Sequence, residues 1–193
     1  TVVALFVLYV MWEVVAPAWL GAWFVAVVLM NGGRYLLLVQ ARRAPPQGAE
    51  ARRLAHKYTA TVAVAGALWG VAGGVFFPLE SVQHQVFLAF IIGGLVAGSM
   101  ASYAIWLPVF HVFTVAAMVP IVVRFLAIGE EISVLMGLIL TIYVAALTVL
   151  AGNVNRSLRQ SVELQFENAG LVADLTRSQE QYDLALKGTN DGI

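Results

Sequence analysis

The chain has 193 residues, 61% of them hydrophobic and only 11% charged, with a mean hydropathy of +0.85. A soluble domain holds roughly 45–50% apolar residues, so this composition points to a membrane protein, and a formal net charge of zero gives no footprint for nucleic acid. The absence of cysteine excludes disulfides, thiolate catalysis and cysteine-bearing zinc or iron–sulfur sites.

A helix needs about 20 apolar residues to cross roughly 30 Å of hydrocarbon. On that scale six apolar segments precede residue 153, at 1–15, 19–39, 58–77, 86–105, 108–128 and 132–152. The first is shorter than a span, and the other five have 20 or 21 residues with little or no charge. Pro17 and Gly21 mark a tight turn between the first two, Pro78 ends the third, and Pro108 separates the fourth from the fifth. Proline suits these boundaries because it lacks an amide hydrogen and disfavours helical geometry in the residue before it. A chain that begins at Thr1 without an initiator methionine, and stops at Ile193 inside an apparent domain opening, is expected to be cut at both ends.

Orientation follows from the placement of cations. Arg42, Arg43, Arg52, Arg53 and Lys57 lie between the second and third segments, and Arg156 and Arg159 follow the sixth. The other side carries Glu80, Glu130 and Glu131 without Lys or Arg. The positive-inside rule makes the arginine-rich faces cytoplasmic, which predicts six spans with both termini inside a bacterial inner membrane. The uncharged turn at 102–107 is cytoplasmic only by counting.

Gly66, Gly70, Gly73 and Gly74 fall at helical spacing on the third segment, as do Gly93, Gly94, Ala97, Gly98 and Ala101 on the fourth. Small residues allow close helix approach in lipid, so the two segments are expected to pair. The alternative is that the missing side chains leave a cleft for an apolar ligand. Trp12, Trp19, Trp23, Trp69 and Trp106 lie mostly near segment boundaries and read as an aromatic belt.

Ionisable groups within apolar segments are costly and are candidates for function. Glu13 and Arg124 both fall near outer ends and can neutralise one another, with Glu130 a nearer competitor for Arg124 and snorkelling to the headgroups the plainer account. Arg34 sits about a turn inside the cytoplasmic end of the second segment, where snorkelling suffices, and Asn31 can hydrogen-bond across helices. His56 opens the third segment and His111 the fifth, so both lie near the cytoplasmic face. Two such histidines can ligate a b-type haem, with nearby arginines for the propionates, although an interfacial histidine more commonly bonds to backbone or headgroups. His84 falls on the outer side. Candidate signal-sensing residues are His111, Glu13, Arg124, Trp69 and Tyr103. The chain offers no catalytic constellation and no metal-ligand motif.

Beyond Gly152 the sequence becomes polar and proline-free, as expected of a continuous helix. Leu158, Val162, Ala169 and Val172 form one partial stripe, and Leu164, Leu171 and Leu175 another, with spacings like those of a coiled-coil seam. A parallel homodimer is expected through residues 153–180, with a monomeric amphipathic linker as the alternative.

The final residues, YDLALKGTNDGI, resemble the opening of a PAS domain, in which a helix leads into the first strand. The preceding SLRQSVELQFENAGLVADLTRSQEQ resembles the juxtamembrane helix between bacterial membrane sensors and PAS, GGDEF, EAL or histidine-kinase modules. GAWFVAVVLMNGGRYLLL, GALWGVAGGVFFP and GGLVAGSMASYAIWLPVF are similar to segments of MASE-like sensor domains. The resemblance implies a sensory input domain in a dimeric inner-membrane receptor, often one that makes or degrades cyclic di-GMP.

The expected architecture is therefore an all-α membrane protein: a six-helix sensor at 1–152, a cytoplasmic signalling helix at 153–180, and the start of a PAS domain at 181–193. Its partners would be the lipid bilayer, a second copy, downstream PAS and output domains, and a small apolar ligand, lipid or quinone. The output would be a diguanylate cyclase or phosphodiesterase, or alternatively a histidine kinase. A transporter is disfavoured because the segment middles are apolar and no internal repeat stands out.

Overall fold

The computed structural model describes the backbone of residues 2–43 and 48–190, and their side chains except at 42, 51, 166, 169, 170, 173, 174 and 176–190. Its elements are α1 (Val2–Val10), α2 (Pro17–Arg43), α3 (Ala49–Gly74), α4 (Val82–Tyr103), α5 (Leu107–Ile128) and α6 (Glu131–Asn190). No strand occurs among the described residues. The chain divides into two compact units, Thr1–Gly152 and Asn153–Ile193.

Four helices are long and apolar enough to cross a membrane, through Pro17–Ala41, Val82–Tyr103, Leu107–Ile128 and Glu131–Gln165. The other two fall short for different reasons. With nine residues, α1 reaches only about 14 Å at 1.5 Å per residue. In α3 the opening turns carry Glu50, Arg52, Arg53 and Lys57, and the apolar remainder is largely Ala and Gly, which add little hydrophobicity.

Local chemistry explains the helix boundaries. Proline opens α2 and occupies the first turn of α5, where its missing N–H has no intrahelical partner to lose. Gly129 closes α5 with φ of 76°, a left-handed conformation that glycine adopts without steric cost. Between α3 and α4 the buried Gln85 side chain donates to Pro78 O at 2.8 Å and satisfies part of the turn backbone.

Within the first unit the core is built around Phe110, Phe125, Met11, Leu20, Leu88 and Ile92, all of which are fully buried. The closest approach of backbones joins α3 to α5 rather than to α4, which α3 also touches where Gly73 faces Ile92. A Cβ placed on Gly66 would stand 2.9 Å from Phe113 O, and one on Gly74 would stand 3.0 Å from Pro120 Cβ. At Gly70 it would overlap the carbonyl oxygen of Ala116. The physical reason is complementarity: α5 presents the small Ala116 and the flat Pro120 ring at the heights where α3 lacks side chains. The glycines of α4 do other work. Gly93 lies against the ring of Tyr143 on α6, whose hydroxyl donates to Gly93 O at 3.2 Å, while Gly94 and Gly98 face open space. Gly137 of α6 receives the Leu126 side chain of α5.

Pairings between helices also give their directions. Contacts of Gly66, Gly70 and Gly74 with Phe113, Ala116 and Pro120 advance together along the chain, so α3 and α5 run parallel. Trp23 meets Leu68 and Phe76 while Arg34 meets Tyr58, so α2 and α3 run antiparallel. Arg34 also bonds to Tyr103 at the end of α4, which brings the α4–α5 turn to the same end of the unit as the arginine-rich α2–α3 connection.

Candidate functional site

A cavity of about 400 Å³ opens among α1 to α5. Its walls are apolar, formed by residues including Val27, Leu68, Trp69, Ile91, Leu95 and Phe113. Gly94 and Gly98 line it from α4, and their missing side chains contribute to the space. Its polar lining comes from Asn31, Arg34, Ser99 and Tyr103.

Arg34 dominates the polar end. Its Nη2 donates to Tyr103 Oη at 2.5 Å and to Tyr58 Oη at 3.3 Å, and the guanidinium carbon lies 5.5 Å from the centre of each ring. Both distances are within the range of cation–π attraction. Among the described residues the groups acting electrostatically on Arg34 are these two phenols, with no carboxylate among them. Asn31 donates to Val27 O at 2.8 Å and Ser99 to Val96 O at 2.7 Å, each bonding within its own helix. The walls are fixed by an aromatic cluster: Trp23 packs edge-on to Trp69 and Phe76, with centroids 5.3 and 5.9 Å away, and its Nε1 donates to Leu68 O at 2.6 Å.

Of the residues singled out from the sequence, Trp69 and Tyr103 come together on this cavity; His111, Glu13 and Arg124 do not line it. Arg124 finds a partner other than Glu13. Arg124 Nε donates to Gly74 O at 2.6 Å, because the terminal carbonyl of α3 lacks an intrahelical partner and lies beside α5. Glu13 is exposed in the turn after α1, beside Leu8, Tyr9 and Trp12. His111 is exposed, its Nδ1 bonded to Leu107 O at 2.7 Å, and His56 is exposed on α3. His84 pairs with Ser81 Oγ at 2.6 Å.

The tryptophans divide. Trp12, Trp19 and Trp106 are exposed, as a belt requires, but Trp23 and Trp69 are buried, because their rings fill the junction of α2 and α3. Arg34 was also legible only in part. Its sequence position suits snorkelling, whereas its side chain turns inward to phenols on two other helices. Asn31 one turn earlier on the same face was the available signal.

In the second unit Leu158, Val162, Leu164, Leu171, Val172 and Leu175 are exposed on α6. The side chain of Ala169 lies outside the described residues, as do residues 191–193 of the PAS-like ending. Among the described residues no cluster of three or more His, Cys, Asp or Glu suits a metal ion.

Among the described residues these features define an all-helical protein with four helices of membrane-crossing length and an apolar cavity with an arginine in its lining. No family model, curated protein or solved structure matches the chain.

Proposed function

We propose that the chain is the membrane input region of a bacterial signalling receptor, with six passes through the inner membrane and both termini in the cytoplasm. The observation that carries this reading is α6, one helix from Glu131 to Asn190 whose first part is apolar enough to cross a membrane and whose remainder is polar. A helix of that kind can transmit a rotation or shift across the interface, because its backbone hydrogen bonds couple each turn to the next. The exposed leucines and valines beyond residue 157 support a parallel dimer through this segment. The PAS-like and MASE-like stretches favour an output domain that turns over cyclic di-GMP, with a histidine kinase as the alternative.

The relay is tested by fusing the chain through residue 182 to a diguanylate cyclase domain and inserting residues after Arg159. Insertions of two or five residues are expected to change cyclic di-GMP output in opposite senses, and an insertion of about seven, one heptad, to restore it. Output indifferent to insertion length would make α6 a passive tether.

A further inference from the structure

We infer that the cavity among α1 to α5 takes one acyl chain of an amphipathic anion, its carboxylate or phosphate held by Arg34 as headgroup receptor. This deepens the receptor reading by giving the signal a chemical class.

Charge comes first. Arg34 lies seven residues inside the end of the Pro17–Ala41 stretch, about 10 Å along the helix. A cation at that depth is normally paired with an acid or extended to the headgroups. Here it is half-buried and turned toward Tyr58 and Tyr103, and among the described residues no carboxylate acts on it. Phenol oxygens and ring faces solvate a guanidinium without neutralising it.

Donor capacity points the same way. A guanidinium has five N–H donors and no acceptor, and both phenol contacts use Nη2, leaving Nε and Nη1 for a second partner. Each phenol that accepts from Arg34 retains its own O–H to donate. Carboxylates and phosphates suit these donors because an ionised oxygen takes a charge-assisted hydrogen bond from Nε–H or Nη1–H and a further one from the O–H of Tyr103, which lines the cavity. A neutral alcohol or quinone would leave the charge uncompensated.

The remainder suits one chain. The cavity is within the range of small-molecule sites, roughly 300–1,000 Å³. Its walls are apolar apart from the end already described, and Gly94 and Gly98 keep one side free of side chains.

The test uses the full chain in nanodiscs of zwitterionic phosphatidylcholine with radiolabelled hexadecanoate. Saturable binding is expected, displaced by hexadecyl phosphate but not by hexadecanol. Arg34→Gln should weaken it at least about tenfold, the loss of a charge-assisted pair. Gly98→Phe should abolish it by filling the cavity while leaving Arg34 in place, which guards against an Arg34 variant that simply misfolds. Repeating the measurement in discs containing phosphatidylglycerol separates the sources: suppression shows that an anionic bilayer lipid takes the site, and unchanged binding shows that a free amphiphile does. Competition by hexadecanol equal to that of the phosphate, wild-type affinity in Arg34→Gln, or no saturable binding overturns the proposal. Since no output domain is involved, such a failure is distinct from an α6 relay that ignores register.

Discussion

A methyl group has opposite consequences at Gly70 and Gly98, although both glycines lie on helices that read alike in the sequence. At Gly70 it would overlap the Ala116 carbonyl oxygen, a backbone atom that moves only if α5 moves. Gly70→Ala is therefore expected to lower stability by about 1–3 kcal/mol, the usual cost of overpacking. At Gly98 nothing lies within 4 Å of the added atom, so Gly98→Ala should be neutral or stabilising by up to about 1 kcal/mol through reduced backbone freedom. Thermal unfolding of the two variants in detergent checks the contrast, and equal shifts would contradict it. Spacing alone shows that a residue is small. What it faces is a property of the neighbouring helix.

The α3–α5 pair shows how one element makes room for another. Pro120 lies inside α5 and has no N–H to give the carbonyl of Ala116, four residues earlier. That same oxygen faces Gly70, and the Pro120 ring packs near the Cβ positions of Gly70 and Gly74. A proline within a membrane helix is tolerated when a neighbour accommodates the freed backbone group, and the glycine face of α3 provides the space. Pro120→Ala restores the donor and draws the Ala116 oxygen back into α5, so Gly70→Ala should cost less in that background. A double-mutant cycle on thermal stability is expected to give a coupling of at least about 0.5 kcal/mol, the scale for residues in contact. Strict additivity would mean that the two positions act independently. The helices themselves were largely legible, since long apolar runs bounded by proline and glycine gave α2, α4 and α5 to within a few residues. The start of α3 was not, because its charged opening turns form helix without being apolar.

Across the first unit, alternating helix directions place the turn around Ile105 with the arginine-rich connection and the Gly129 turn at the opposite end, near Arg124 and Gly74. Charge could not orient the turn around Ile105; the Arg34–Tyr103 hydrogen bond places it. The proposed topology then makes a definite statement about access. In spheroplasts a membrane-impermeant maleimide should label Glu130→Cys, whereas Arg52→Cys and Ile105→Cys should react only after permeabilisation. The chain contains no cysteine, so each label reports one site. Labelling of Ile105→Cys together with Glu130→Cys would overturn the six-pass arrangement.

By itself the sequence determined what depends on neighbours along the chain: helical structure, which stretches are apolar enough for lipid, where proline and glycine end them, and where polarity changes after Gly152. Only the tertiary structure decided that α3 lies on α5, that Arg124 caps α3, and that Arg34 turns inward to two phenols above an apolar cavity. The division has a physical cause. Hydrophobicity and backbone preference are local quantities, whereas packing in lipid depends on matching surfaces of helices far apart in the chain, and glycine faces of similar spacing on α3 and α4 become a contact or a cavity according to what stands opposite them.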